Sequence, residues 1–155
     1  MQEFRREPVT RDHLRALADL KVRADQDNLV APNLATLAQV GFEPGSFAWG
    51  LWVGDKPAGL MAMIRPDLHP FPDDRGSDDA AYLWRLMVDA NFQGIGLGRY
   101  AMDQAEAQAR AWQLDFLELT CVPDQPTSAL PFYERCGFQQ TGVIRYGEAE
   151  LRKAL

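Results

Sequence analysis

The chain is poor in the residues that hold metals or cross-links. Its 155 residues include two cysteines, Cys121 and Cys136, and two histidines, His13 and His69. The cysteines lack metal-ligand spacing and neither histidine has a partner ligand nearby in sequence, so no metal site and no disulfide framework is expected. Both cysteines read as small apolar packing residues. No apolar run reaches the roughly 18 residues that a membrane-crossing helix needs. Residues 1–10 carry Glu3, Arg5, Arg6 and Glu7 where a secretory signal would be apolar, so a cytoplasmic location is expected. Positive charge is scarce as well: 16 Lys and Arg stand against 22 Asp and Glu, a formal net charge of −6. A general nucleic-acid surface is therefore not expected, because phosphate contacts demand clustered cations. A cationic partner suits the charge better, although moderate acidity also serves simply to keep a chain soluble. Repeats and low-complexity tracts are missing too, and the length fits one domain over 1–155, which buries about 68–70% of the surface its unfolded form exposes.

What is present is a regular succession of apolar runs and turn residues. Residues 2–6 suit a short edge strand. Thr10 is placed to cap a first helix bearing Leu14, Leu17, Leu20 and Val22. Asn33, after Pro32, opens a second helix with an apolar side of Leu34, Leu37 and Ala38 and with Gly41 as a left-handed C-cap. The runs 47–53 and 58–64, joined by Gly54, Asp55, Lys56 and Pro57, read as a hairpin. Residues 66–80, with three prolines and the acids Asp73, Asp74, Asp78 and Asp79, read as a surface loop. Those acids are solvated, or else rim a cation site. The run 82–88 is apolar on both faces apart from Arg85, as in a central covered strand. Residues 97–112 are strong helix formers and give a helix of about 24 Å. A further strand at 116–122 makes this unit a parallel strand, helix, strand crossover.

Between the strand ending at Val88 and that helix lies Gln93, Gly94, Ile95, Gly96, Leu97, Gly98. Glycines let a backbone turn tightly and bring N–H groups close to an anion, and the helix after the loop aims its positive end at the same place. The loop therefore suits a pyrophosphate. A dinucleotide fingerprint would need Gly where Arg99 stands, and a P-loop would need Lys and Ser or Thr where Arg99 and Tyr100 stand. What remains is Gln or Arg, two residues of any kind, Gly, any residue, then Gly or Ala, which Gln93, Gly96 and Gly98 satisfy.

Downstream, the run from Leu130 through Tyr133 and Cys136 to Gly137 and Phe138 places a Tyr on a short helix, then a capping Gly, then a Phe opening the next strand. Together the two motifs resemble the GNAT superfamily of acetyl-CoA dependent N-acetyltransferases. The resemblance implies an α/β fold: a mixed central sheet of about six or seven strands, about four flanking helices and a splayed pair of parallel central strands. It implies acetyl-CoA as co-substrate, held by Gln93, Gly94, Ile95, Gly96, Leu97, Gly98 and Arg99. Backbone N–H groups at Met87 and Val88 would steady the oxyanion, and a bulge in that strand would admit the pantetheine arm.

Tyr133 matches the family Tyr that serves as general acid toward the leaving thiolate. Its alternative is a packing aromatic. Some relatives place a Glu base early in the central strand, where this chain has Tyr82, so the base is unassigned. Glu118 is one candidate, as base or through a water, although a satisfied structural Glu reads equally well. Many relatives have an Asn where this chain has Pro126. The ending from Thr141 to Glu148 and the stretch 26–33 resemble a bacterial branch associated with polyamine or diamine acetylation. Glu148 and Trp84 are candidate acceptor residues on that reading, while at least two of the four tryptophans read as core.

Three functions are expected as alternatives. The first is an N-acetyltransferase acting on a small primary amine, polyamine-like by preference. The second is a catalytically silent acyl-CoA binding module, and the third an acetyltransferase for a protein amine. The stretch 147–153 is expected to be an exposed edge strand able to pair two subunits, which allows a homodimer.

Overall fold

The computed structural model describes residues 2–155. Seven strands and four α-helices run in the order β1 Phe4–Pro8, α1 Leu14–Ala18, α2 Asn33–Val40, β2 Ser46–Val53, β3 Lys56–Ile64, β4 Ala80–Val88, α3 Leu97–Ala111, β5 Phe116–Cys121, α4 Leu130–Arg135, β6 Gln139–Arg145 and β7 Glu148–Ala154. The strands form one sheet in the order β1-β2-β3-β4-β5-β7-β6. β4 and β5 are parallel and every other pair is antiparallel. The mixed sheet, the four helices and the central parallel pair are those the sequence indicated.

Gly54, at φ 57°, supplies the left-handed residue of the two-residue turn between Val53 and Lys56. Ala101, Ala105 and Ala109 recur every four residues along α3 and are fully buried, so one helix face lies flat on the sheet. Leu97 and Met102 join them against Leu51, Met61, Met63, Leu83 and Leu119. Each fully buried Leu or Met there contributes about 1.5–3 kcal/mol. Trp49 and Trp52 are core residues, whereas Trp84 and Trp112 are partly exposed.

Some local expectations are corrected. Thr10 precedes a 3₁₀ turn at Arg11–His13 and makes no side-chain cap. Gly41 closes α2 with φ −69°, an ordinary right-handed cap. The buried face of α2 is Asn33 and Thr36, and Leu34 is 67% exposed. Asn33 can be buried because its Nδ2 donates to the Leu17 carbonyl at 2.8 Å, which docks α2 on α1. The segment before β4 is anchored, with His69 and Arg75 buried: His69 Nδ1 lies 2.7 Å from the Pro44 carbonyl and Arg75 bonds the His69 carbonyl and Asp78. The C-terminal strand is not an edge. β7 lies between β5 and β6, which leaves β1 and β6 as the edges.

Two irregularities in β4 open the middle of the sheet. Its pairing with β5 covers only Ala80 to Tyr82, opposite Phe116 to Glu118, and beyond Tyr82 the strands separate. Its register with β3 also slips: Met63 pairs with Leu83 and Ala62 with Arg85, so Trp84 is the extra residue of a bulge. Strict alternation would put Tyr82 and Arg85 on opposite faces. The bulge changes the parity. Leu86 and Val88 pack with Leu83 on the α3 side, while Arg85 and Met87 reach α2 through Gln39 and Asn33.

Candidate active site

The separation of β4 from β5 opens a cleft of about 740 Å³, the size of a small-ligand site. Its walls are residues 82–88 of β4, Leu119 to Val122 at the end of β5, Tyr133 of α4 and Val22 to Ala31 beyond α1. Arg145, Tyr146 and Glu148, at the β6–β7 turn, also line it. Of the residues singled out in the sequence, Trp84, Met87, Val88, Gln93, Tyr133 and Glu148 line this cleft, whereas Gly94 to Arg99 lie beyond its walls and Glu118 is not part of it.

At the carboxyl end of β4 the chain enters the glycine loop. Gly94 and Gly96 take φ 78° and 96°, conformations that L side chains resist. Gly96 is also the N-cap of α3 and has no side chain to cap it. The amides of Leu97, Gly98 and Arg99 open the helix with no earlier turn of carbonyls to bond, and so face an incoming anion with the helix dipole behind them. Gly94, Ile95 and Gly96 are exposed. Arg99, also exposed, lies 3.5 Å from Asp103.

The loop is held at its start. Gln93 Nε2 donates to the Val88 carbonyl at 3.0 Å and to Gln26 Oε1 at 2.8 Å. Asp89, buried, accepts from the backbone N–H of Asn91 at 3.1 Å and of Lys21 at 2.9 Å. Gly96→Ala keeps the space but strains the backbone by about 1–3 kcal/mol. About tenfold weaker acetyl-CoA binding with an intact fold is expected, read by calorimetry.

Tyr133 is half-buried, with its ring against Phe132 and Phe138 at 5.3 and 6.0 Å between centroids. Burial, reinforced by Cys121, pushes its hydroxyl well above the ordinary tyrosine range, so the phenol stays protonated. Ser128 fixes the start of α4: its hydroxyl bonds the Val122 carbonyl and accepts from the Leu130 amide at 3.1 Å. Thr127 Oγ1 donates to the Asp25 carbonyl at 2.9 Å. These contacts tie down the segment containing Pro126. Cys121 faces the same cleft as a neutral thiol, pushed up to about 11 chiefly by burial.

At the other end stands a hydroxyl chain that single-residue motifs could not announce. Tyr82 Oη lies 3.1 Å from Thr120 Oγ1, which donates to Glu148 Oε2 at 3.0 Å. Glu148 as a carboxylate only accepts, so the one hydroxyl proton of Thr120 goes to it and Tyr82 donates to Thr120. A lone pair of the Tyr82 oxygen then remains for a ligand in the cleft. Burial raises the Tyr82 pKa, with the Thr120 bond and Arg145 working against it.

Glu118 shares a strand face with Thr120 but is fully buried and lines no part of the cleft. Its carboxylate accepts from Ser77 N at 2.7 Å, Ser77 Oγ at 3.2 Å and Arg152 Nη1 at 2.6 Å. That geometry anchors the segment leading into β4 and offers nothing to an acceptor.

Known proteins share this architecture. The acetyltransferase (GNAT) family model matches residues 11–138. A mycothiol acetyltransferase of Geodermatophilus obscurus is 33% identical over 106 residues, which are 68% of this chain and 32% of that protein. The chain thus spans about a third of the length of that curated relative. The GNAT domain of S. lividans PAT superposes with a TM-score of 0.75 at 16% identity, covering 98% of this chain and 90% of that one. A Bacillus subtilis acetyltransferase in complex with CoA gives 0.68 at 15% identity, covering 100% and 99%. Likeness at such identities concerns the fold. The family match over most of the chain, on a sheet splayed beside a glycine loop, places this protein in the acetyltransferase (GNAT) family.

Proposed function

We propose that the protein is an acetyl-CoA dependent N-acetyltransferase that acts on a primary amine of a small molecule by direct attack in a ternary complex. The observation that carries this reading is the continuity of one cleft between β4 and β5, with Gln93 of the glycine loop, Tyr133 and the Tyr82–Thr120–Glu148 chain all on its walls.

Residues 93–99 bind the pyrophosphate, and the pantetheine arm lies along the open edge of β4. The ammonium of the acceptor gives a proton to Tyr82 Oη as the Tyr82 proton passes to Thr120 and the Thr120 proton to Glu148. No phenolate forms, which matters because burial disfavours one. The neutral amine attacks the thioester carbonyl, and β4 amides at Met87 and Val88 steady the oxyanion. Collapse expels the CoA thiolate toward the Tyr133 hydroxyl, and the second proton of the former ammonium nitrogen leaves to water as the amide forms. Glu148, rather than Glu118, is the terminal proton acceptor.

Thr120→Val cuts the chain while keeping its volume. A loss of about a hundredfold in kcat/KM near neutral pH is expected. The loss shrinks as pH rises toward the amine's own pKa, where the acceptor arrives deprotonated. A pH–rate profile checks this, and a deficit constant with pH removes the relay.

Glu43, Asp73, Asp74 and Glu148 on the cleft wall support a polyamine-like acceptor, and Arg85 and Arg145 on the same wall oppose it. Mass-spectrometric detection of acetyl transfer to polyamines, amino acids, aminoglycosides and a lysine peptide tests the function and sorts these acceptors. Acetyl-CoA binding with no acceptor modified favours the silent binding module, and modification of the peptide alone favours a protein amine.

A further inference from the structure

Acetyl transfer leaves one cation of the cleft with neither a task nor a carboxylate in contact. Arg85 is half-buried in the wall. Its direct contacts are all with neutral groups: Nη1 donates to the Trp84 carbonyl at 3.3 Å, Nη2 to Gln39 Oε1 at 3.2 Å, and Cζ lies 4.6 Å from the centre of the Trp84 ring. Among the described residues it makes no ion pair, whereas the other cleft cation, Arg145, has Glu150 at 2.9 Å. Burial lowers the Arg85 pKa, with Tyr82 and Glu148 working against it.

Removing a guanidinium from water without a carboxylate in direct contact costs free energy, which a ligand carboxylate can recover through two parallel N–H bonds. Arg6 is also half-buried without a carboxylate, but it lies over Trp49, bonded to Gln108, and is not part of the cleft. Arg85 lies over the Trp84 ring and is held at one end by Gln39, so it is positioned before a ligand arrives. The bulge at Trp84 also puts it on the face of Tyr82, three residues from the hydroxyl that receives the acceptor's proton.

We infer that the acceptor carries a carboxylate as well as its primary amine, and that Arg85 binds this carboxylate while the amine faces Tyr82. The acceptor is thus amino-acid-like, and a polyamine would set a second cation against the guanidinium. The inference rests on the acetyltransferase reading for the amine and on Arg85 alone for the carboxylate.

The test measures binding and turnover separately. Calorimetry on the CoA-loaded protein compares the N-acetyl derivatives of glycine, β-alanine, γ-aminobutyrate, leucine and phenylalanine with those of ethylamine, propylamine, butylamine and putrescine. At least one carboxylate ligand is expected to bind about tenfold or more tightly than its uncharged counterpart. Arg85→Gln abolishes that preference and Arg85→Lys keeps part of it, both with unchanged acetyl-CoA affinity as the check on folding. Equal binding of the two sets, tighter binding of the putrescine derivative, or a preference that survives Arg85→Gln overturns the carboxylate site. Turnover of the parent amines is measured in parallel. Turnover without carboxylate preference overturns this inference and leaves acetyl transfer standing. Carboxylate-selective binding with no turnover supports the site and counts against acetyl transfer.

Discussion

Tyr133→Phe leaves acetyl-CoA binding unchanged and lowers kcat by about a hundredfold. The ring keeps its contacts with Phe132 and Phe138, so only the hydroxyl is lost. General acid groups contribute about 10²–10⁴-fold, and the lower end applies here for a physical reason. Burial raises the Tyr133 pKa, whereas an ordinary thiol titrates near about 8.5, so full proton transfer to the departing thiolate runs uphill. On the proposed mechanism the hydroxyl stabilises the developing sulfur charge by donating a hydrogen bond, and the thiolate gains its proton as it reaches water. Steady-state kinetics beside acetyl-CoA calorimetry measures the split. An unchanged kcat takes this task away from Tyr133, and a matching loss of binding shows a packing residue.

Glu118→Ala destabilises the fold by about 3 kcal/mol. Removing one member of a buried ion pair costs about 3–5 kcal/mol because its partner loses its counter-charge. The low end applies because Arg152 keeps Asp79 at 2.7 Å and is partly exposed. The Ser77 amide loses its acceptor as well. A Cβ on Gly76 would clash with Glu118 Oε1, which shows how closely this segment wraps the carboxylate. Urea denaturation reads the change. A loss below about 1 kcal/mol means that the anchor is dispensable, and a variant that stays folded but loses all turnover returns Glu118 to the list of bases.

The parts of the fold legible in the sequence were those written in local punctuation. Gly94 and Gly96 had to be glycine for their backbone angles, the alanine-rich stretch after them had to be helical, and Tyr133, Gly137 and Phe138 sit at fixed offsets along one short helix and its cap. Distant partners were not legible. Glu118 in a strand looks the same whether it serves a substrate or an arginine 34 positions later. Thr120 and Tyr82 meet only because the parallel register sets Tyr82 opposite Glu118 before the strands part. The apolar stripe on α2 misled because Asn33 finds a carbonyl acceptor inside, and a docked amide outranks an exposed leucine. The inner place of β7 is a matter of sheet order, which strand patterns do not encode.

The side chain of Gln93 holds the strand end and the Gln26 turn in one grip, and Asp89 does the same for the Lys21 amide. The two sides of the cleft are thereby hydrogen-bonded to one another at this point. A ligand that draws the 22–31 segment inward is therefore expected to set the glycine loop as well, and a ligand seated on the loop to set the segment. Thermodynamic reciprocity makes the two effects equal: by whatever factor acetyl-CoA improves the acceptor's affinity, the acceptor improves that of acetyl-CoA. On the proposed mechanism Gln93 is therefore expected to tune how strongly the two substrates favour each other's binding, although it reaches neither the acetyl group nor the amine.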